Sequence, residues 1–211
     1  MNKTFKSKQE LRQAVWVYME ENNLVVFPRP CYGRISNFVG SRSAAERIKA
    51  LREWKDARVI FSAPDSSLHY ARCEVLKEGK ILLVAAPRLT EFYLVKDVPS
   101  EKAFEASSIK GFSKFGRSIK ISINLPKIDL YITGAVAVDK NGNRIGKGAG
   151  YGDKEDEIFS AARLIDENTP RIALVHKVQV FEDFSYLMEK KDKKVTIIAI
   201  PKEIYKINSG T

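Results

Sequence analysis

A glycine-rich turn in the second half of the chain carries the residue types best suited to bind an anion. Gly146, Gly148 and Gly150 lie at alternate positions shortly before a segment with helical periodicity. Because glycine has no Cβ, successive backbone N–H groups can converge on one anion, and a helix N-terminus adds partial positive charge. Arg144 and Lys147 would complete a cationic cradle. The spacing predicts a phosphate-binding loop.

The turn matches neither of the two common nucleotide motifs. The Walker pattern ends in Gly-Lys-Ser/Thr, and a dinucleotide site places its glycines directly after the first strand. This segment does neither. Taken alone, it leaves two interpretations open, a phosphate site and an ordinary glycine turn.

Composition narrows the classes of function. The formal net charge is +10, from 36 Lys and Arg against 26 Asp and Glu. This charge favours binding to a polyanion such as a nucleotide, a polyglutamylated cofactor or nucleic acid. The alternative is a solvated charged surface that binds no polyanion. Cys31 and Cys73 are too few for a disulfide framework or a four-cysteine zinc site. No secretory signal or bilayer-spanning stretch is evident, so we expect a cytoplasmic protein without a membrane partner.

Helices before the turn are indicated by two capping boxes. Ser7 with Glu10 predicts a first helix over Lys8–Glu21. Ser43 with Glu46 has the same spacing ahead of a second helical pattern.

Short apolar runs without clean alternation predict strands that are covered on both faces. They lie at residues 59–63, 81–86, 128–133, 172–175 and 195–200. Residues 24–27 are a further β-prone run, and the clearest later helix covers residues 155–165, with its N-terminus near Asp153. This alternation indicates an α/β protein with a mainly parallel sheet, and the length suits one domain over residues 1–211.

Residues 101–127 lack a strong period and predict a long loop. Basic residues alternate with aromatic ones, including Lys110, Phe112, Lys114 and Phe115. A functional loop and a connection anchored by its phenylalanines are equal alternatives.

Two separated motifs occur in the order typical of one known family. Residues 144–153 read Arg-Ile-Gly-Lys-Gly-Ala-Gly-Tyr-Gly-Asp, within a match that starts at Asp129, and the first helix carries Lys8-x-x-x-Arg12. Both resemble the 5-formyltetrahydrofolate cyclo-ligase (methenyltetrahydrofolate synthetase) family. The branch of methenyltetrahydrofolate synthetase domain-containing proteins is more similar still, through residues 27–30, 34–40, 86–89, 146–153 and 175–179.

The resemblance implies a fold and a reaction. The fold is a three-layer α/β/α sandwich, Rossmann-like, around a mainly parallel sheet, and we expect a monomer or weak dimer. The reaction uses ATP and Mg²⁺ to phosphorylate the formyl oxygen of 5-formyltetrahydrofolate, or of a related reduced pterin. N10 then attacks and phosphate leaves, which gives the 5,10-methenyl form. This step requires alignment and charge neutralisation, with no Cys, Ser or His nucleophile.

The resemblance also implies a set of residues that bind ATP. The set is Lys8, Arg12, Arg144, Gly146, Lys147, Gly148, Ala149, Gly150, Tyr151 and Asp153. Arg144, Lys147 and Tyr151 are the candidates for catalysis, with Tyr151 facing the acceptor, and Asp153 is the candidate ligand of Mg²⁺. Solvated charges on the first helix, and a helix cap at Asp153, are the alternatives.

Four further residues have weaker ties to the site. Glu155 either joins the metal or interacts only with the helix dipole. His176 follows a buried strand and suits a structural role. Asn37 and Phe38 either line the ligand pocket or form a turn.

The chain departs from the family pattern at three positions. Gly152, Thr133 and Lys154 stand where the family carries a second tyrosine, a proline and often an arginine. The missing tyrosine ring would have formed a wall of the substrate pocket. Two other functions therefore stay open: a non-catalytic domain that binds nucleotide or RNA through its basic surface, and a kinase or hydrolase for another small metabolite.

Overall fold

The computed structural model describes residues 4–207, in which helices and strands alternate along the chain. The α-helices are α1 (Lys8–Glu21), α2 (Ser41–Ile48), α3 (Arg52–Asp56), α4 (His69–Lys77), α5 (Ala103–Ala106), α6 (Ile109–Phe115) and α7 (Tyr151–Ala161). The strands are β1 (Val59–Ser62), β2 (Ile81–Ala85), β3 (Phe92–Val95), β4 (Arg117–Ile119), β5 (Leu130–Gly134), β6 (Ala137–Asp139), β7 (Arg144–Ile145), β8 (Arg171–Leu174), β9 (Val180–Phe181), β10 (Ile197–Ala199) and β11 (Ile204–Lys206). The five strands predicted with both faces covered correspond to β1, β2, β5, β8 and β10.

Most of these strands join one central sheet. In the described residues its order is β11-β10-β8-β5-β1-β2-β3-β4. Neighbours among β10, β8, β5, β1 and β2 run parallel, whereas β3, β4 and β11 pair antiparallel at the two edges. The prediction of a mainly parallel sheet is confirmed. Ligands of such sheets bind outside the carboxyl ends of the parallel strands.

Helices cover both faces of this sheet. Successive residues of a strand point to opposite faces. In β1, Ile60 packs in an apolar cluster with residues of α1, α2 and α4, whereas Phe61 packs with Phe159 of α7. The rings of Phe61 and Phe159 meet edge to face with centroids 4.7 Å apart. The protein is therefore a three-layer α/β/α sandwich, as the sequence predicts. Within residues 4–207 no helix is long and apolar enough to cross a membrane.

A small second sheet leads into the glycine-rich turn. Strand β6 pairs antiparallel with β7 and parallel with β9. At the end of β6 the buried Asp139 carboxylate accepts hydrogen bonds from the backbone N–H groups of Asn141, Asn143 and Phe184 and from the Asn143 side chain, at 2.7 to 3.0 Å. Because a carboxylate can accept several donors at once, Asp139 fixes the turn that places Arg144.

Two helix boundaries differ from the sequence prediction. Helix α7 begins at Tyr151, four residues before the predicted range, because Gly150 adopts φ 69° and ends the loop at the helix N-terminus. Helix α2 begins directly after Gly40, at φ 88°, and no side chain caps it. Ser43 thus lies inside α2, so the second capping box is wrong. The first helix is confirmed over Lys8–Glu21, and Ser7 caps it, because the Ser7 hydroxyl accepts the backbone N–H of Glu10 at 3.2 Å. The Glu10 carboxylate accepts the backbone N–H of Lys6 at 2.7 Å.

The prediction of a long loop at residues 101–127 is wrong for much of its length. It contains α5, α6 and β4, and β4 pairs with β3. These elements are too short to give a clear period in the sequence. Residues 24–27 do not form a strand of the sheet and contribute only a bridge between Val25 and Phe38.

Candidate functional site

A cavity of about 600 Å³ lies at the carboxyl ends of the parallel strands. Its walls include the residues that follow β1 and β2, the end of β5, and the loop between β7 and α7. All of the residues predicted to bind ATP line it, namely Lys8, Arg12, Arg144, Gly146, Lys147, Gly148, Ala149, Gly150, Tyr151 and Asp153. The fold thus brings together two motifs that are more than a hundred residues apart.

The glycine-rich loop curves around the side chain of Arg12. Gly148 and Gly150 have φ of 99° and 69°, a region that glycine adopts without steric cost. The Arg12 Nε donates to the carbonyl oxygen of Gly146 at 2.7 Å. Its guanidinium lies 3.4 Å from the place where a Cβ on Gly148 would stand. Burial lowers the pKa of Arg12, although Asp192 acts to raise it. Arg12 is therefore held against the loop and is not a solvated helix charge.

We expect Gly148→Ala to destabilise the loop and Gly146→Ala to leave it nearly unchanged. Alanine at position 148 would have to adopt a left-handed backbone, with φ of 99°, which costs about 1–2 kcal/mol. A Cβ on Gly146 meets open space. Urea denaturation of both variants measures the difference. Equal free energies of unfolding would contradict the strain assigned to Gly148.

Lys8 reaches the cavity from one turn earlier on α1. Its ammonium donates to Asp192 Oδ2 at 2.6 Å and lies 3.6 Å from Glu189 Oε1. Burial acts to raise the pKa of Asp192, but the hydrogen bonds from Lys8 and from the Glu189 amide lower it below its ordinary value. The Lys8 side chain is 21% exposed and is bonded to Asp192. Like Arg12, it is therefore not a freely solvated charge.

Arg144 lies at the inner end of the loop with a largely buried guanidinium. It donates to Thr133 Oγ1 at 3.2 Å and to Asp153 Oδ1 at 3.1 Å. A Cβ on Gly152 would lie 2.5 Å from Arg144 Nη1. The guanidinium therefore occupies space that a side chain at position 152 would need. A side chain at position 152 would require the Arg144 guanidinium to shift.

Asp153 is placed to hold a cation but forms no closed metal site. It lies in the first turn of α7, which Gly150 caps, and its side chain is 45% exposed toward the cavity. Among residues 4–207 no three His, Cys, Asp or Glu side chains come together to hold a metal ion. Mg²⁺ in nucleotide sites typically takes one or two carboxylates together with phosphate oxygens and water. The single carboxylate of Asp153 fits that kind of site.

Lys147 and Tyr151 form the outer part of the loop. The Lys147 ammonium lies 5.6 Å from the centre of the Tyr151 ring, within cation–π range. Both residues line the cavity, so Lys147 is oriented along the wall that Tyr151 forms.

Two acidic residues complete the deep side of the cavity. Glu155 is 3% exposed, and its Oε2 accepts the Tyr131 hydroxyl hydrogen at 2.9 Å. Burial raises the pKa of Glu155 to about 7, while Tyr131, Arg144 and Lys147 act to lower it. Burial likewise raises the pKa of Asp65 above its ordinary value. Glu155 thus lines the cavity and is bonded to the buried phenol of Tyr131, so it does not merely face the helix dipole.

Sequence reasoning missed Asp65 and Asp192. Asp65 lies three residues after the end of β1, and an acidic residue shortly after a buried parallel strand is a usable signal. Asp192 lies in a turn between short elements, where no pattern marks it. The rim residues Arg34 and Arg88 also line the cavity, although neither was predicted to do so.

The other three weaker candidates, Asn37, Phe38 and His176, are not among the residues that line the cavity. His176 Nδ1 accepts the backbone N–H of Val178 at 3.4 Å and caps a short 3-10 turn, as expected of a structural histidine. Phe38 is buried, and the Asn37 side chain donates to the Phe27 carbonyl at 2.8 Å. Asn37, Phe38 and His176 therefore have structural roles, which is one of the alternatives that the sequence left open.

Fold and cavity together define a class: a three-layer α/β protein with a basic, glycine-rich loop at the carboxyl edge of its sheet. The model of the 5-formyltetrahydrofolate cyclo-ligase family matches residues 4–201. The chain belongs to this family, which confirms the resemblance seen in the motifs.

Curated relatives place the chain near one branch. It is similar to the methenyltetrahydrofolate synthase domain-containing proteins of Bos taurus and Homo sapiens, with 37% and 36% identity over 202 residues. Each match covers 94% of this chain and 53% of the relative. The chain thus spans about half the length of the curated relatives it matches.

Solved structures share the fold. The 5,10-methenyltetrahydrofolate synthetase of Aquifex aeolicus matches with a TM-score of 0.59 and 18% identity, over 97% of this chain and 94% of that one. The synthetase of Mycoplasma pneumoniae matches with a TM-score of 0.53 and 14% identity, over 90% and 96%. At these identities the likeness establishes the architecture alone.

Proposed function

We propose that this chain is an ATP- and Mg²⁺-dependent cyclo-ligase that converts 5-formyltetrahydrofolate, or a related formylated reduced pterin, to its 5,10-methenyl form. The observation that carries the proposal is the convergence of Lys8, Arg12, Arg144 and Lys147 on one cavity. Membership of the cyclo-ligase family supports the same reaction class, and the comparisons do not favour the RNA-binding alternative.

The outer part of the cavity would hold the phosphates. Arg12 of α1 contacts the glycine-rich loop at Gly146, and Lys8 of the same helix lines the cavity beside it. Gly148 and Gly150 turn the backbone of the loop toward the N-terminus of α7. Cations and a helix N-terminus both stabilise phosphate charge. Asp153 would hold Mg²⁺, which when bound neutralises charge on the transferred phosphoryl group.

The inner part would hold the acceptor. Arg144 is fixed by Thr133 and Asp153, so its guanidinium is oriented before any ligand binds. Such preorganised charge stabilises a transition state more than a mobile group can. Asp65 and Glu155 line the same region and would accept hydrogen bonds from the acceptor.

The test is the absorbance of the methenyl product after the protein is mixed with Mg-ATP and 5-formyltetrahydrofolate. We expect absorbance to rise only when ATP is present, and to stop rising when EDTA removes Mg²⁺. Calorimetric titration with Mg-ATP provides the control. If the protein binds Mg-ATP but forms no product, the proposed acceptor is wrong.

A further inference from the structure

Arg72 of α4 is a buried cation to which the proposed reaction assigns no task. It is 1% exposed. Its guanidinium donates to three main-chain carbonyl oxygens, from Nε to Ser107 at 2.9 Å and from Nη1 to Ala63 at 2.7 Å and Asp65 at 3.0 Å. Burial lowers the pKa of Arg72 to about 10, although the Asp65 carboxylate acts to raise it. The group therefore stays charged at neutral pH, while the oxygens bonded to it are neutral.

Stability alone does not require an arginine at this position. A buried charge carries a desolvation penalty, and apolar side chains of similar volume often replace buried ions without loss of stability. Two of the three carbonyls also have a second donor. The Ala63 oxygen accepts the Ser62 hydroxyl at 3.1 Å, and the Asp65 oxygen accepts the Leu68 N–H at 3.1 Å. The charge at Arg72 thus needs another explanation than the hydrogen-bonding needs of the backbone.

The carbonyls that Arg72 joins belong to two segments of the cavity wall. Asp65 lies in the loop after β1 and lines the cavity. Ile109, two residues after Ser107, begins α6 and lines the same cavity with 48% of its surface exposed. The Arg72 guanidinium also lies 5.4 Å from the centre of the Phe112 ring of α6. A planar guanidinium presents its donors in fixed directions, so it sets the relative position of the two segments.

We propose that Arg72 is a positioning residue of the acceptor site, which joins the loop after β1 to the start of α6 and so holds Asp65 and Ile109 on the cavity wall. The inference rests on the proposed function and deepens it, because the inner part of the cavity is the part assigned to the acceptor. The bonds of Arg72 end on Ala63, Asp65 and Ser107 and not on the glycine-rich loop. Its loss should therefore weaken acceptor binding and spare nucleotide binding.

Calorimetric titration of two ligands tests this selectivity. 5-Formyltetrahydrofolate and Mg-ATP are titrated separately into the native protein and into Arg72→Met. Methionine is apolar and has a similar length, so it removes the bridge without opening a large cavity. We expect Arg72→Met to bind 5-formyltetrahydrofolate about tenfold more weakly and Mg-ATP within about twofold of the native protein, because the ligand must then order a wall that was fixed before.

Amide hydrogen exchange gives a second readout that needs no ligand. Exchange becomes faster where local contacts are lost, even when the rest of the fold is intact. In Arg72→Met we expect faster exchange in peptides that cover residues 63–68 and 103–112. Peptides that cover the glycine-rich loop, residues 144–150, should exchange as in the native protein.

Two further variants separate positioning from stability and from charge. Leu76→Ala lies on the same helix, is buried and does not line the cavity. It should lower the free energy of unfolding and leave both affinities unchanged. Arg72→Lys keeps a charge near Asp65 but lacks the planar fork, so it should also bind 5-formyltetrahydrofolate more weakly than the native protein. It serves as the second variant if Arg72→Met does not fold.

Other outcomes overturn the inference. Unchanged binding of 5-formyltetrahydrofolate in Arg72→Met, equal losses for both ligands, or the same selective loss in Leu76→Ala would mean that Arg72 positions no part of the acceptor site. Native affinity in Arg72→Lys would mean that only its charge matters. If the native protein binds no 5-formyltetrahydrofolate, the proposed acceptor is wrong and hydrogen exchange decides. Faster exchange confined to the two segments then supports the role of Arg72, and unchanged exchange there overturns it.

Discussion

Arg144→Ala is expected to lower kcat/KM for ATP-dependent methenyl formation by about 100- to 1,000-fold, the typical cost of losing one preorganised group that stabilises developing charge. The guanidinium is held by Thr133 and Asp153 at the inner end of the loop. No other cation that lines the cavity is fixed by both β5 and α7 within the described residues. Initial rates of methenyl absorbance measure the loss.

Two variants separate charge from geometry. Arg144→Lys keeps a cation but lacks the planar fork that reaches Thr133 and Asp153 at the same time, so we expect it to recover only part of the activity. Lys154→Ala removes an exposed charge from α7, the helix that carries Asp153, and Lys154 does not line the cavity. This variant should leave the rate unchanged. Activity of Arg144→Ala within about threefold of the native protein would exclude Arg144 from the reaction.

The basic, glycine-rich side of the cavity could be predicted from the sequence because it depends on local patterns. The glycines of the loop and the Lys8 and Arg12 spacing on α1 each occupy a few consecutive residues, and backbone geometry then dictates what they can bind. The strands β1, β2, β5, β8 and β10 are also local signals. Their parallel order follows from the helices between them.

The acidic side of the site could not be predicted in the same way. The sequence names Glu155 as a candidate but not its partner, because the hydrogen bond to the Tyr131 hydroxyl depends on how α7 packs against β5. Asp192 meets Lys8 across 184 residues of chain, and no periodicity links the two. These contacts depend on how the layers pack, which a single sequence does not encode in any short motif.

The free energy of unfolding is expected to fall as the pH rises from about 4.5 to 7, through the titration of Glu155. Its folded pKa of about 7 lies above the ordinary value of 4.5, so the folded state binds the proton more tightly than the unfolded state. Below pH 4.5 both states are protonated and no penalty exists. Above pH 7 Glu155 is ionised in both states, and its raised pKa then lowers the free energy of unfolding by about 3 kcal/mol.

Glu155→Gln should remove this pH dependence, since glutamine keeps the shape and an acceptor for the Tyr131 hydroxyl but does not ionise. The two proteins should have similar stability near pH 4.5, whereas the variant should gain about 3 kcal/mol relative to the native protein by pH 8. Urea denaturation across this range, with EDTA present, measures the difference. Glu157→Gln, on the exposed side of the same helix, is the matched control and should show no such gain. A Glu155→Gln difference that stays constant with pH would mean that Glu155 ionises as easily in the folded protein as in water, and that the cavity floor is open to solvent.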